Sequence, residues 1–219
     1  MLKLIRKDKY YYITKGGNII TTPNSNKLFA KNKTHAILML KQLEQNDKDE
    51  LSTLGLTLFA CNLKKDERQL MENKILQQLD YDNILYRCSS TIPLNKFMDS
   101  NLNKFIFFFK KKFKQNLIFL DSILKKQNDI KKSKFENYLR CLDIFYFSLF
   151  YKLSLLTKST ILTYLFIEKK ISQKILFKLS NLEHIFQQKD WGVVEEQKIV
   201  DEEYNLILKK FSIFLKNIS

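Results

Sequence analysis

The sequence is poor in the residues that interrupt helices and in those that build metal sites. It contains 4 glycines and 2 prolines among 219 residues, so we expect long helices to dominate. The 3 cysteines are scattered without a Cys-x-x-Cys pair, and the 2 histidines, His35 and His184, are far apart. This usage argues against a disulfide framework and a metal cluster, and it favours a reducing compartment.

Motifs that carry catalysis are also missing. The chain has no glycine-rich phosphate loop and no Gly-x-Ser-x-Gly elbow, and neither histidine lies near a suitable nucleophile. The pair Glu195-Glu196 could in principle do acid–base chemistry, but adjacent residues on a helix point about 100° apart and are poorly placed to share one substrate bond. We therefore expect a protein that is not an enzyme and that holds no cofactor and no metal.

Long hydrophobic runs are absent too. The N-terminal residues 1–7 contain no apolar segment of signal-peptide length. The most apolar later stretch, residues 141–156, is interrupted by Asp143 and Lys152. Its uncharged centre is far shorter than the ~20 residues that span a bilayer. We expect a soluble protein of the cell interior.

Positive charge is abundant, and nearly all of it is lysine. The net charge is +15, and 34 of the 38 basic residues are lysines. Arginine has the planar fork suited to bases and phosphates, so a lysine excess is more typical of compositional drift that keeps a chain soluble. The run Lys110–Lys112, flanked by phenylalanines, fits a nucleic-acid platform or a helix whose phenylalanines face the core. A basic helical nucleic-acid-binding protein is therefore the alternative function, and an unrelated scaffolding bundle is a third.

Strand signals occur only near the N-terminus. Residues 9–14 and 19–22 are rich in tyrosine and β-branched residues, and Gly16-Gly17 between them suits a tight hairpin turn. A helix should follow, with Thr34 as its N-cap. Its buried stripe should contain Ala36, Ile37, Leu40 and Leu43. Residues 54–58 fit either a short strand or a helical turn.

Helical patterns dominate after Leu94. Apolar runs interrupted by lysine, including residues 117–124, are typical of buried or amphipathic helices, and Ser172 can cap a further helix. We therefore predict an α+β fold, with a small N-terminal α+β domain that carries a β-hairpin, residues 1–90, and a C-terminal all-α bundle, residues 91–219. The boundary is placed in the linker-like stretch Ser89–Pro93.

A distinctive acidic segment lies near the C-terminus. It contains the one tryptophan, Trp191, followed directly by Gly192. Residues 181–203 hold seven acids and two lysines, a local net charge of −5 in a chain of net +15. Two explanations remain open: an acidic surface kept for a partner, or a solvated helix pair joined by a glycine C-cap with Trp191 as a core anchor.

This segment resembles the C-terminal hallmark of the α-subunit-specific assembly chaperones of the ATP synthase catalytic head, also called the ATP-twelve family. The hallmark is Leu-Glu, then an aromatic residue and Gln, then Trp-Gly and a following acid. The matching residues are Leu182-Glu183, Phe186-Gln187, Trp191-Gly192 and Glu195. Weaker matches lie upstream, in residues 15–23, 54–60 and 82–87, so the resemblance covers about residues 10–215.

The resemblance implies what the chain does and where. It implies an orthogonal helical bundle after the α+β domain, no catalysis, and transient binding of the ATP synthase α subunit by a monomer that binds no nucleic acid. The location would be the bacterial cytoplasm or, in a eukaryote, the mitochondrial matrix. In the resembling family an acid shortly after Trp-Gly is important for function, and Glu195 is the matching residue here. The expected partner-binding residues are Glu195, Glu196, Glu183, Trp191 and Gly192.

Overall fold

The computed structural model describes residues 1–87, 91–122, 124–127, 132–192 and 194–219, with Asp190 described by its backbone alone. The strands are β1 (Leu2–Lys7), β2 (Tyr10–Lys15), β3 (Asn18–Ile19) and β4 (Phe29–Ala30). The α-helices are α1 (Lys33–Glu44), α2 (Thr53–Asn62), α3 (Lys65–Gln78), α4 (Ile92–Phe113), α5 (Ser133–Cys141), α6 (Ile144–Thr157), α7 (Thr160–Ile167), α8 (Gln173–Ser180), α9 (Leu182–Trp191) and α10 (Glu195–Ile218). Two short 3-10 helices, Leu79–Tyr81 and Asn83–Leu85, follow α3.

The sheet is antiparallel and centred on β2. One edge of β2 pairs with β1, and the other edge pairs with β3 at one end and β4 at the other. Gly16 and Gly17 form the β2–β3 turn at φ angles of +59° and +86°, a conformation that glycine adopts without steric cost. The predicted hairpin is confirmed. Strand β1 was not predicted, because its short, lysine-rich sequence is extended only through pairing with β2.

Among the described residues, all four strands precede α1, and every named element after β4 is a helix. The predicted α+β class is confirmed. Residues 54–58, which fitted two structures, belong to helix α2. The predicted helical run over residues 117–124 is wrong: its described residues form no helix, and Leu120 instead makes a backbone bridge with Tyr86.

The chain divides into two compact units that are not consecutive in sequence. The first consists of residues 1–68, 142–149 and 206–219, and the second of residues 69–141 and 150–205. The boundary predicted at Ser89–Pro93 falls partly on residues 88–90, which lie outside the described residues, and it stays a prediction. No helix in the described part of the chain is long and apolar enough to cross a bilayer.

The first unit packs helix α1 beside the sheet. Asn32 caps α1, since its Oδ1 accepts a hydrogen bond from the His35 N–H at 2.9 Å. The predicted cap, Thr34, is wrong because it already lies inside the helix. The buried face is correspondingly His35, Ala36 and Met39, whereas Ile37 is exposed.

The second unit has an aromatic core. The rings of Phe109, Phe113, Phe135 and Tyr164, from α4, α5 and α7, lie 4.7 to 5.4 Å apart in successive contacts. Edge-to-face pairs at such distances contribute beyond the apolar area that they bury. Helix α4 also packs against α9, and α8 packs against both α7 and α9. These contacts place the segment that carries the acidic hallmark.

Candidate functional site

Helices α9 and α10 meet at Gly192. Its backbone has φ +76° and ψ 178°, a region that only glycine populates readily. Its N–H donates to the Gln188 carbonyl at 3.0 Å and so ends α9. Helix α10 then begins at Glu195. The predicted glycine break and the place of Glu195 in the first turn of the last helix are both confirmed.

Trp191 is not a core anchor. Its side chain is 80% exposed, so the explanation in which Trp191 anchors the core is wrong. The side of α9 that faces α4 is taken by Phe186, whose ring lies 5.6 Å from that of Phe97. Five residues further along a helix the side chain points about 140° away, which directs Trp191 to solvent.

Trp191 borders a shallow groove of about 340 Å³. We call it the Trp191 groove; it is lined by His184, Gln187, Gln188, Trp191, Gly192, Val194, Glu196 and Gln197. Three of the predicted site residues, Trp191, Gly192 and Glu196, are therefore brought together. An exposed indole beside Val194, which is 59% exposed, is an apolar surface of the kind that partners cover.

Acidic side chains surround this junction. Glu195 is 75% exposed and forms an ion pair with Lys198 at 2.7 Å. Glu195 and Glu196 occupy the first turn of α10, where the helix dipole favours negative charge. Asp201, one turn further on, accepts a hydrogen bond from Gln197 at 2.8 Å. Glu195 and Glu196 are exposed to solvent, and Asp201 is half-buried.

Glu183 does not reach the Trp191 groove. It lies in the first turn of α9 and lines a different cavity of about 570 Å³ within the second unit. The predicted site residues are thus divided between two neighbouring surfaces of α9. Both include His184.

Arg87 lines the second cavity and was not predicted as a site residue. Its guanidinium bonds to Asp99 through Nε at 2.9 Å and to the carbonyls of Ile84 and Tyr86 through Nη1 at 2.9 and 2.7 Å. The group also lies 4.4 Å from the centre of the Phe119 ring. The sequence signal that could have found it was the match of residues 82–87 to the family pattern. A metal-binding group of His, Cys, Asp or Glu does not occur among the residues that the structure describes.

Comparison with known proteins identifies solved structures that share this fold. Neither a protein-family profile nor a curated protein sequence matches the chain. Atp12 from Paracoccus denitrificans superposes with a TM-score of 0.86 at 15% identity, over 100% of this chain and 96% of that one. An Asp-to-Lys mutant of the same protein gives 0.87 at 15% identity, over 100% and 95%.

A third solved structure agrees with these two. Atu1473 from Agrobacterium tumefaciens, a proposed chaperone, superposes with a TM-score of 0.85 at 16% identity, over 100% of this chain and 84% of that one. The chain therefore has the fold of these proteins along its whole length. The fold resemblance to the ATP-twelve family, expected from the C-terminal pattern, is confirmed.

Proposed function

We propose that the protein is an assembly chaperone that binds the free α subunit of F-type ATP synthase and is not an enzyme. The observation that carries the proposal is the whole-chain likeness to Atp12, with TM-scores of 0.86 and 0.87. Three hallmark residues, Trp191, Gly192 and Glu195, support it from the sequence, because they lie together at the exposed α9–α10 junction.

The mechanism is shielding of a subunit interface. A free α subunit exposes apolar surface that later contacts its β-subunit neighbours, and such surface aggregates. The exposed Trp191 and the acids around the Trp191 groove complement a surface that combines apolar with basic side chains. Negative charge at the rim speeds encounter and selects the partner, and binding remains reversible so that the β subunit can replace the chaperone.

Glu195, Glu196, Trp191 and Gly192 form the proposed partner-binding surface at the α9–α10 junction. Glu183 contributes from the neighbouring cavity of the same helix. The protein acts as a monomer in the compartment where ATP synthase is assembled, either the bacterial cytoplasm or the mitochondrial matrix. The fold comparison does not favour the alternative function, nucleic-acid binding.

Light scattering of purified ATP synthase α subunit tests the proposal. We expect an equimolar amount of this protein to suppress aggregation of the α subunit during dilution from denaturant, and to leave aggregation of the β subunit unchanged. Protection of both subunits alike would indicate a general holdase, and protection of neither would refute the proposed function.

Retention on double-stranded DNA tests the alternative function, nucleic-acid binding. The net charge of +15 predicts weak binding at low salt that is lost between 50 and 200 mM salt, as for any basic surface. Tight binding to DNA at 200 mM salt, together with no protection of the α subunit, would favour the nucleic-acid-binding function.

A further inference from the structure

Helix α4 contains the lysine–phenylalanine run for which the sequence allowed two explanations. Its inner side faces the core, since Ile106, Phe109 and Phe113 are buried and the two phenylalanines contact Tyr164 of α7 or Phe135 of α5. The outer side is different: Phe107 and Phe108 are 65% and 39% exposed. Exposed apolar side chains that adjoin one another, and are not scattered singly, mark an interaction surface.

Lysines surround the two exposed phenylalanines on the same side of α4. Lys104 lies one turn before them and Lys111 and Lys112 lie one turn after, because residues three and four apart share a face of a helix. All three lysines are exposed, and none forms an ion pair with an acid that the structure describes. We call this surface the Phe107 face; it consists of Asn103, Lys104, Phe107, Phe108, Lys111 and Lys112.

Neighbouring elements add positive charge to the Phe107 face. The ammonium group of Lys170, which follows α7, lies 5.9 Å from the centre of the Phe108 ring. Desolvation and the nearby charge of Lys114, at the end of α4, lower the pKa of Lys134 on α5. Residues 100–120 contain five lysines and no acid. A positive surface of this kind attracts a partner that presents many negative charges.

The Phe107 face is separate from the Trp191 groove. Lys189, near the end of α9, places its ammonium group 4.3 Å from the centre of the Phe97 ring. Phe97 comes ten residues before Phe107 on α4, which corresponds to about 15 Å along the helix axis. Glu168 is an acid near the other end of the face, and its carboxylate accepts a hydrogen bond from the Tyr138 hydroxyl at 2.8 Å. The two surfaces can therefore be altered independently.

The shape and chemistry of the Phe107 face favour an anionic lipid surface over a nucleic acid. The exposed side of a single helix is convex, whereas single-stranded nucleic acid is held in a positively charged groove that follows its backbone. Arginine is the side chain best matched to bases and phosphates, and this face contains none. Helices that lie on membranes combine aromatic side chains, which enter the boundary between headgroups and acyl chains, with lysines that are attracted to anionic headgroups.

We infer that the Phe107 face binds the surface of an anionic lipid bilayer, peripherally and reversibly. Phe107 and Phe108 insert among the headgroups, and Lys104, Lys111 and Lys112 bind headgroup phosphates. The buried side of α4 is packed in the aromatic core of the second unit, so the helix presents this face without rearrangement. The inference does not rest on the proposed function; it adds a second binding surface to the one at the α9–α10 junction.

Co-sedimentation with lipid vesicles measures this binding. At ~100 mM salt we expect roughly tenfold stronger binding to vesicles of phosphatidylcholine and phosphatidylglycerol, at about 2:1, than to phosphatidylcholine alone. The double variant Lys111→Gln, Lys112→Gln should weaken binding to the anionic vesicles roughly tenfold, since each lysine near a membrane surface contributes to the attraction. The matched control is Lys64→Gln, Lys65→Gln, which removes the same charge from two exposed neighbouring lysines elsewhere and should bind like wild type.

Fluorescence quenching tests whether the aromatic side chains enter the bilayer. Trp191→Phe removes the one native tryptophan, so Phe107→Trp in that background introduces a single indole on the Phe107 face. We expect phosphatidylcholine with brominated acyl chains, mixed into the anionic vesicles, to quench this indole roughly twofold. Leu70→Trp in the same background is the control, because Leu70 on α3 is as exposed as Phe107, at 63%, and its indole should not be quenched.

Equal vesicle binding by the two lysine double variants would overturn the inference, because it would indicate general adsorption of a basic chain. An unquenched indole in the Phe107→Trp protein would overturn it as well. Without vesicle binding, retention on single-stranded poly(U) that Lys111→Gln, Lys112→Gln abolishes would indicate a nucleic-acid surface instead, and a dimer that these changes dissociate in analytical ultracentrifugation would indicate a second copy. Failure of wild type to protect the α subunit refutes the proposed function alone, since vesicle binding does not involve that subunit.

Discussion

Glu195 has both a structural and a functional explanation at the scale of a single residue. Its carboxylate lies in the first turn of α10, where interaction with the helix dipole is worth ~0.3–1 kcal/mol. It is also exposed and paired only at the surface with Lys198, and such pairs contribute little. A charge held so openly is available to a partner.

Glu195→Gln separates the two explanations because it removes the charge and keeps the size. We expect near-normal thermal unfolding and severalfold weaker protection of the α subunit from aggregation. Glu202→Gln, at another exposed acid of α10, is the matched control. A Glu195→Gln protein that melts normally and protects the α subunit fully would remove Glu195 from the proposed partner-binding surface.

His35 is a buried histidine with a structural role. Its Nδ1 accepts from the Lys31 N–H at 3.2 Å, and its Nε2 lies 2.7 Å from Thr57 Oγ1. Thr57 donates its own proton to the Thr53 carbonyl at 2.6 Å, so it accepts from His35 and the imidazole is neutral with its proton on Nε2. Burial, helped by the charge of Lys31 and opposed by Asp143, lowers the pKa of His35 to about 4.

The sign of the pH dependence follows from this lowered pKa. Between about pH 4 and 6.5 the unfolded state binds a proton at His35 that the folded state does not, so the unfolding free energy rises with pH by about 3 kcal/mol from this group. We expect His35→Gln to lose this rise in urea denaturation at several pH values. His184→Gln, at the exposed histidine, should keep it. An unchanged pH slope in His35→Gln would contradict the assignment.

Gly192 controls the junction at the scale of the elements. A Cβ added there would meet no atom within 4 Å, so the cost of substitution comes from the backbone alone. We expect Gly192→Ala to lower the unfolding free energy by ~1–3 kcal/mol, the cost of this φ, ψ region for other residues. Hydrogen exchange should quicken at the end of α9 and the first turn of α10.

The control for that variant is Gly16→Asn in the β2–β3 turn. Gly16 has φ +59°, in the left-handed region that asparagine tolerates, so we expect a smaller loss of stability. Equal stability of wild type and Gly192→Ala would show that the junction relaxes to another backbone conformation.

Asp82 joins the second 3-10 helix to the start of α7. Its carboxylate accepts from the backbone N–H groups of Ile84 at 3.3 Å and Ile161 at 2.9 Å. Its side chain is fully buried, and burial raises its pKa to about 6 in spite of these hydrogen bonds. Asp82 thus links the second 3-10 helix to α7, although burial disfavours the ionised form of its carboxyl group.

The pH effect of Asp82 is opposite in sign to that of His35. The folded state keeps the proton up to about pH 6, whereas an unfolded aspartate loses it near 3.9, so the unfolding free energy falls by about 3 kcal/mol over that range. We expect Asp82→Asn to remove this decrease, which is measured as the slope of the unfolding free energy against pH in the variant and in wild type. Asp8→Asn, at an exposed turn aspartate, should leave the slope unchanged; the reverse pattern would refute the assignment.

At the scale of the whole molecule, the C-terminal residues complete the N-terminal unit. Residues 206–219 belong to the first unit with residues 1–68. Leu208, Phe211, Phe214 and Ile218 are buried there, and the Phe214 ring lies 5.6 Å from that of His35. Asn32 also donates to the Asn217 carbonyl at 2.6 Å.

Removal of residues 206–219 should therefore unfold the first unit. Five buried apolar side chains, with Leu215 as the fifth, are worth on the order of 8–15 kcal/mol at ~1.5–3 kcal/mol each, comparable to the ~5–15 kcal/mol that stabilises a typical domain. We expect the shortened chain to lose amide protection in β2 and α1, measured by hydrogen exchange. Deletion of Ser219 alone is the control, and protection that survives the longer deletion would contradict the division into units.

Local sequence determined the features that depend on neighbouring residues. Gly16-Gly17 specified the hairpin, Ser172 the start of α8, and Gly192 the break before Glu195, because each acts through backbone dihedral angles or a hydrogen bond within one turn. The hallmark around Trp191 also identified the fold, because its residue types and their spacing can be read directly from the sequence.

Tertiary structure alone decided which surfaces those residues form. Trp191 is exposed because Phe186 occupies the contact with Phe97 on α4, and a sequence does not state which of two aromatic residues meets a distant helix. Arg87 and Glu183 share a cavity only because α9 and the segment after the 3-10 helices pack together in the second unit. Burial and pKa depend on such long-range packing, which a local pattern does not encode.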